Sequence, residues 1–271
     1  MIQAAEGEQA GTRVRQLRWT VRSRMAEHQG YLRLARRRHG EAVVSPQTEL
    51  VIDGFTRSAS TFAVVAFQLA QPAPVRVGHH LHAPSQIIAA VRLGVPTLLT
   101  VRPPEDTVLS LVVREPYVTI GQGLTAYARF HARLVRHIDA MVVADFAEVT
   151  GRFDRTIERV NARFGTSFAP YAATPEATAA CFDLIEMRAR RPPWRSTIQA
   201  YLSGLATRAE LDAQAAAHSG EIGAVPEHRA QRPSAYKEGR KDALREAYHA
   251  PAHAGVRSRA EALYARFAAA G

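Results

Sequence analysis

The sequence has little cysteine and no long apolar run. Cys181 is the single cysteine among 271 residues, which excludes an internal disulfide and leaves a cysteine-based zinc site without partners. Its apolar neighbours predict a packed position in a helix core. No stretch approaches the roughly 20 apolar residues of a membrane-spanning helix, and the N-terminus lacks the layout of a secretory signal. We therefore expect a cytoplasmic protein without a transmembrane segment.

Lysine and aromatic residues are also scarce, although the chain is basic. Lys237 and Lys241 are the two lysines among 35 basic residues, against 25 acidic ones, and the formal net charge is +10. A basic balance favours anionic partners. Aromatic residues make up 7% and are not interleaved with a basic patch, which argues against RNA recognition. The arginine-rich segment 12–39 is either a basic helix on a membrane or nucleic acid or a helix packed on the domain. The apolar positions of segment 12–39 favour packing on the domain. For residues 1–11 we predict disorder.

Four short apolar segments alternate with helical patterns and predict the fold class. The predicted strands are residues 50–52, 75–77, 97–101 and 140–144. Near-continuous apolar strands that alternate with helices indicate an α/β fold with a buried parallel sheet. The expected organisation has three parts: a basic N-terminal helical extension at 1–45, a core at 46–170 and a helical C-terminal part of the same domain at 171–271.

The loop after the first predicted strand is a candidate anion site. Small residues and Arg57 lie between the strand and a helical pattern that starts near Phe62. Free amides at a helix start bind phosphate. The loop departs from a Walker A motif because it has no lysine before Ser60 and Thr61. A Ser/Thr-rich helix cap beside a surface arginine is the alternative.

Two further candidates follow later strands. Arg102 ends the third predicted strand, and Ser110 lies eight residues later, about two turns into a helix; a guanidinium and a hydroxyl can together hold a phosphate. His79, His80 and His82 follow the second predicted strand. A histidine there can accept a proton near neutral pH, and which of the three does so is left open.

Together these segments resemble the P-loop-type sulfotransferase family, which uses phosphoadenylyl sulfate, in its bacterial branch. Residues 55–62 look like the 5′-phosphosulfate loop, and residues 101–110 look like the 3′-phosphate segment. Residues 79–81 are similar to the Thr-His-Leu step that carries the base in the cytosolic branch. Residues 143–149 resemble a later strand of bacterial members. Ala59 stands where the family has glycine.

The resemblance implies a three-layer fold of the P-loop nucleoside triphosphate hydrolase type and a sulfotransferase. It would move a sulfuryl group from 3′-phosphoadenylyl sulfate to a hydroxyl or amine of a small-molecule or glycan acceptor, without a metal. Arg57 would neutralise charge on the departing phosphate, and His80 would accept the acceptor's proton. Residues 232–237 would form a basic flap over the nucleotide. The implied donor-binding residues are Arg57, Ser58, Ala59, Ser60, Thr61, Phe62, Arg102 and Ser110.

Two other functions stay open from the sequence. One is a P-loop kinase or nucleotide hydrolase, for which Asp145 at the end of the fourth predicted strand leaves a magnesium role open. The absence of the Walker lysine argues against it. The other is a non-catalytic protein that binds anions or nucleic acid through the arginine-rich N-terminus. The acceptor and the oligomeric state cannot be predicted from these residues.

Overall fold

The computed structural model describes residues 2–218 and 225–271 and contains a four-stranded, all-parallel sheet. The order in the sheet is β2-β1-β3-β4, and β1 pairs in register with both β2 and β3. The strands are β1 (Leu50–Gly54), β2 (Val77–His79), β3 (Thr97–Val101) and β4 (Val142–Asp145).

α-Helices cover the sheet and form both ends of the described chain. The helices are α1 (Ile2–Met25), α2 (Tyr31–His39), α3 (Ser60–Ala70), α4 (Pro84–Arg92), α5 (Pro104–Arg114), α6 (Ile120–Leu134), α7 (Phe146–Gly151), α8 (Phe153–Phe164), α9 (Pro175–Arg190), α10 (Arg195–Leu202), α11 (Arg208–Ala217), α12 (Ala235–His249) and α13 (Ala254–Ala268).

Two apolar cores lie on opposite faces of the sheet. The connection from β1 to β2 runs one way across the sheet, and the later connections run the other way. Because such crossovers are right-handed, their helices fall on opposite faces. Accordingly α3 packs into one core with Ile52 and Leu98, whereas α4, α5 and α6 pack into the other with Leu99 and Val101. Cys181 is fully buried in the first core, which confirms the predicted packed position.

The observed elements confirm the predicted α/β class and correct two strand positions. Strand β3 has the predicted bounds, and β1 extends the predicted strand by two residues. Strand β2 begins two residues later than predicted, at Val77, where its pairing with Leu50 of β1 begins; the preceding N–H of Arg76 donates to the carboxylate of Glu49 at 2.8 Å. His79 therefore lies in β2 and not after it. Strand β4 also begins two residues late, at Val142.

The N-terminal segment departs from the prediction at its start. The backbone is helical from Ile2, so the predicted disorder of residues 2–11 is wrong; good helix formers such as Ala and Gln and the absence of proline favour this helix. Trp19 packs against the second core. Val14, Leu17 and Val21 are exposed, so only some of the apolar residues of this helix pack against the domain.

Within the described ranges, no helix has an apolar stretch of membrane-spanning length.

Candidate functional site

The carboxyl ends of β1 and β3 form the wall of a cleft of about 590 Å³. These neighbouring strands continue into α3 and α5, which pack on opposite faces of the sheet. Ligands of open parallel sheets bind at such a switch point, where successive crossovers diverge. The predicted loop, the Arg102 segment and the histidines therefore meet at one place.

The loop between β1 and α3 has an unusual backbone. Arg57 and Ala59 both adopt left-handed conformations, with φ of 72° and 69°, which cost non-glycine residues free energy and concentrate at functional sites. Alternating backbone handedness turns successive N–H groups toward a common point, as in anion-binding nests. Ser60 and Thr61, the first residues of α3, line the cleft together with Phe62, and amides of a first helical turn lack intrahelical acceptors.

Ser58 is the one predicted donor-binding residue that does not line the cleft. Its side chain is buried, its hydroxyl donates to the Phe55 carbonyl at 2.6 Å, and it lies 2.9 Å from Oγ1 of Thr100 in β3. The hydroxyl therefore joins the loop to β3. Gly54 permits this close approach, since a Cβ there would collide with the backbone carbonyl of Thr100.

Arg57 spans the cleft and contacts two distant segments. Its Nε donates to Oγ of Ser110 in α5 at 3.0 Å, and one terminal nitrogen donates to Oε1 of Gln231 at 2.9 Å. Burial, followed by the nearby charges of Arg114 and Arg102, lowers the pKa of Arg57. The guanidinium therefore lies in a partly desolvated, positive environment that an anion would stabilise.

Arg102 lies beside the same loop. One terminal nitrogen donates to the carbonyl of Arg57 at 3.3 Å, and the guanidinium stacks over the ring of Phe146 at 4.0 Å from its centre. Its Nε is buried and has no hydrogen-bond partner in the described part of the chain. Burial lowers its pKa, although Asp106 and Glu238 act in the opposite direction. Within the described ranges, neither Arg57 nor Arg102 forms a salt bridge with a carboxylate.

The three histidines are held by different partners. Nε2 of His79 lies 3.1 Å from Oγ of Ser203, and its Nδ1 lies 2.6 Å from Nδ1 of His80. Nε2 of His80 lies 3.0 Å from Oγ1 of Thr61 in the first loop. Burial and then the charge of Arg188 lower the pKa of His80 well below its ordinary value and that of His79 to about 3. Both rings are therefore neutral at pH 7.

His82 is anchored by the end of β1. Its Nδ1 lies 2.9 Å from the Gly54 carbonyl and 3.4 Å from the Asp53 carboxylate. That buried carboxylate also accepts from the backbone N–H groups of Gly54, Leu81 and His82. Asp53 thereby holds the histidine loop, in which His82 has a φ of 51°, against β1.

Residues 231–241, near the C-terminal end of the described chain, line one side of the cleft. Arg232 and Lys237, which lie in the segment predicted as a basic flap, line it, and so does Lys241. Both lysines are nearly buried, with 6% and 8% of their surface exposed. Lys237 donates to the carbonyls of Ala230 and Arg232, whereas Lys241 pairs with Glu238 at 2.7 Å.

Several cleft residues were not found from the sequence. Phe146 follows the end of β4 directly, so its position at a strand end was an available signal. Gln231, Arg114 and Arg188 lie in segments without a motif, and only the tertiary fold brings them to the cleft. A sequence pattern could not have predicted them.

The described residues contain no group of three or more side chains suited to a metal ion. The carboxylate of Asp145, for which a magnesium role was left open, accepts from the N–H of Glu148 at 2.8 Å and caps α7. Comparison of the chain with protein-family models, with curated proteins and with solved structures found no match.

Proposed function

We propose that the protein is a sulfotransferase that takes its sulfuryl group from 3′-phosphoadenylyl sulfate. The observation that carries this proposal is the meeting of Arg57, Ser110 and Arg102 in one cleft. Arg57 follows β1, whereas Arg102 and Ser110 follow β3, so two separate segments are available for the 5′ and 3′ phosphates of one nucleotide. The absence of a Walker lysine in the first loop favours this donor over ATP.

The charge of the cleft supports a multiply anionic ligand. Among the described residues, two acidic side chains line it, Asp106 and Glu238. The basic side chains that line it are more numerous: Arg57, Arg102, Arg114, Arg188, Arg232, Lys237 and Lys241. Both lysines of this arginine-rich chain are among them. Arg232 pairs with Asp183 and Glu186, and Lys241 pairs with Glu238. The charges of Arg57 and Arg102 have no carboxylate partner in the described ranges, and such a concentration of like charge is unfavourable without a counter-ion, which a bound bisphosphate nucleotide would supply.

The proposed chemistry is a direct transfer. The acceptor oxygen or nitrogen attacks sulfur and forms a new bond to it, while the bond from sulfur to the 5′-phosphate oxygen breaks. The acceptor's proton passes to a histidine of the cleft, and adenosine 3′,5′-bisphosphate leaves. Arg57 stabilises the negative charge that develops on the leaving phosphate, and loss of such a donor typically costs about 10²–10³ in rate.

Ligand-induced thermal stabilisation tests the donor specificity. Adenosine 3′,5′-bisphosphate should raise the melting temperature, because a ligand at 100 times its Kd stabilises the native state by about 2.7 kcal/mol. ADP and ATP with magnesium at equal concentration should do so much less. Stabilisation by ATP with magnesium alone would support a kinase or hydrolase instead, and binding of all polyanions alike would support a non-catalytic protein.

An arginine variant links the binding to the cleft. Arg102→Ala should weaken the affinity for adenosine 3′,5′-bisphosphate tenfold or more, since hydrogen bonds to charged groups contribute about 1.5–3 kcal/mol. Arg92→Ala is the matched control, because Arg92 is exposed on α4 and away from the cleft. Equal affinities in the two variants would remove Arg102 from the site and contradict the proposal.

A further inference from the structure

The apolar residues of α1 divide between two opposite faces of the helix. On one face Trp19 packs against the second core, and Oγ1 of Thr20 accepts a hydrogen bond from Nε2 of Gln122 in α6 at 3.1 Å. The other face carries a row of exposed side chains, which we call the apolar stripe: Val14, Leu17, Val21 and Met25. Steps of three or four residues align these side chains along one face of an α-helix. Because α6 holds the opposite face, the apolar stripe points to solvent.

Exposed apolar surface is concentrated in this part of the protein. Of the eight large apolar side chains that are exposed among the described residues, the four of the apolar stripe and Leu34 of α2 lie within residues 14–34. Leu17 is 64% exposed. Single exposed apolar residues are ordinary, whereas contiguous ones mark a surface for a partner or a membrane.

Arginines border the apolar stripe on both sides. With 3.6 residues per turn, Arg18 and Arg22 fall along one border, and Arg13 and Arg24 fall along the other. All four side chains are exposed. The outer face of α1 is therefore amphipathic, with an apolar centre and cationic edges.

The excess of positive charge continues into α2. Residues 12–39 contain nine arginines and a single acidic residue, Glu27. The Glu27 carboxylate forms salt bridges with two arginines of α6, at 2.7 and 3.2 Å, so it is engaged away from the arginines of α1. Burial, followed by the charges of Arg22 in α1 and Arg38 in α2, lowers the pKa of His39. The positive charges of the two helices therefore lie close enough to act on one residue.

This combination of groups favours one kind of partner. A second copy of the chain on the apolar stripe would place arginines against arginines across a symmetric interface, which is repulsive. Nucleic acid would attract the arginines, but its phosphate backbone offers no apolar surface to a row of aliphatic side chains. A bilayer with anionic headgroups accommodates both, because the aliphatic side chains enter the acyl boundary and the guanidinium groups remain at the headgroups.

We infer that α1, together with the adjoining α2, docks the protein on an anionic membrane surface. The helix lies in the plane of the interface, with the apolar stripe inserted at the boundary between headgroups and acyl chains and with the arginines on headgroup phosphates. The inference is independent of the proposed function, because no described side chain of α1 is among those that line the cleft.

Co-sedimentation of the full chain with lipid vesicles tests the docking. The chain should bind vesicles of phosphatidylglycerol and phosphatidylcholine about tenfold or more tightly than vesicles of phosphatidylcholine alone, since each basic residue near an anionic surface contributes to the attraction. The affinity should fall as salt screens the charges. Equal affinity for both kinds of vesicle, or binding to neither, would overturn the inference.

A double variant tests the apolar stripe without a change of charge. Leu17→Ser with Val21→Ser should lower the affinity for the anionic vesicles about tenfold or more, because the buried apolar area sets part of the binding strength. Leu93→Ser with Leu205→Ser is the matched control at two exposed residues outside α1 and α2, and its vesicle affinity should stay within about twofold. Equal vesicle affinities in the two double variants would contradict insertion of the apolar stripe.

A second pair of variants tests the arginines at constant net charge. Arg18→Gln with Arg22→Gln should weaken vesicle binding about tenfold or more, and Arg152→Gln with Arg155→Gln, at exposed positions near the start of α8, should weaken it much less. An equal loss in both would show that only the overall charge matters and would overturn the inference. The affinity for adenosine 3′,5′-bisphosphate should be the same in all four double variants, so a failure of the proposed function stays distinguishable from a failure of docking.

Two other outcomes would assign the apolar stripe to a different partner and overturn the inference. One is binding of duplex DNA, but not of anionic vesicles, that depends on Arg18 and Arg22. The other is a dimer of the unmodified chain in sedimentation velocity that Leu17→Ser with Val21→Ser dissociates. We expect a monomer–dimer distribution that this double variant leaves unchanged.

Discussion

Nε of Arg57 lies 3.0 Å from Oγ of Ser110, although 53 residues separate them in sequence. The contact joins the loop after β1 to the second turn of α5, on the far side of the switch point. The hydroxyl oxygen accepts in this contact, so its own hydrogen can still be donated to a phosphate on the Arg102 side of the cleft. The hydroxyl of Ser110 therefore offers a direct probe of 3′-phosphate recognition.

Ser110→Ala should weaken the binding of adenosine 3′,5′-bisphosphate about tenfold, because one hydrogen bond to a charged group is lost. Adenosine 5′-monophosphate, which lacks the 3′-phosphate, should bind the variant and the unmodified chain equally. Titration calorimetry with both nucleotides measures the difference. Ser196→Ala, at an exposed position on α10, is the control. An equal loss for both nucleotides would show that Ser110 does not recognise the 3′-phosphate.

Ala59→Gly should raise the free energy of unfolding by about 0.5–1 kcal/mol. Ala59 has a φ of 69°, a left-handed conformation that costs a non-glycine residue roughly 1–2 kcal/mol, and the greater freedom of glycine in the unfolded chain offsets part of the gain. Urea denaturation measures the change. Because the loop already has the backbone that glycine would adopt, nucleotide affinity should stay the same. A destabilised variant would contradict this interpretation of the loop.

Gly54→Ala should have the opposite effect and destabilise the protein by several kcal/mol. The added methyl group would collide with the backbone carbonyl of Thr100 and crowd the hydroxyl of Ser58, so β1 and β3 would have to separate. Urea denaturation and nucleotide binding should both show the loss. Gly151→Ala is the control, since a Cβ there meets nothing. A variant as stable as this control would contradict the close approach of the strands.

Much of the fold was predictable because buried parallel strands leave a local signal. Residues 97–101 are all buried, and their apolar run was sufficient to give the bounds of β3. The start of β2 was not predictable, since it is set by the register with β1, which pairs Leu50 with Val77, and register is a tertiary property. The cleft residues likewise fall into a group that could be predicted from the sequence and a group that could not. Arg57 and Arg102 follow strand ends, whereas Arg188 reaches the cleft from α9 through packing alone.

His131→Phe should weaken the dependence of stability on pH. His131 is buried beside Phe55, Tyr127 and Phe267, and burial lowers its pKa from 6.5 to about 4, although a hydrogen bond to Tyr127 opposes the shift. Between about pH 6.5 and about pH 4, His131 binds a proton in the unfolded chain but not in the folded chain. The free energy of unfolding should therefore fall as the pH drops from about 6.5 to about 4.

At pH 5 this residue should account for a loss of about 2 kcal/mol relative to pH 8. Urea denaturation at the two pH values gives the loss for the unmodified chain and for His131→Phe. The variant should lose about 2 kcal/mol less, while the loss from His79, whose pKa is also lowered, persists. At pH 8 His131 is neutral in both the folded and the unfolded chain, so the difference in unfolding free energy between the two proteins at this pH reports the change in packing alone. An identical loss in both proteins would show that His131 does not titrate in this range.

The hydrogen bond from Arg57 to Gln231 bridges 174 residues, and this has a consequence for biosynthesis. Translation delivers β1 early and the wall that carries Gln231, Lys237 and Lys241 late, while domains generally fold as units from the N-terminus. All four strands therefore leave the ribosome before the wall that carries these three side chains. The proposed nucleotide site is complete only after α12 has emerged, late in synthesis.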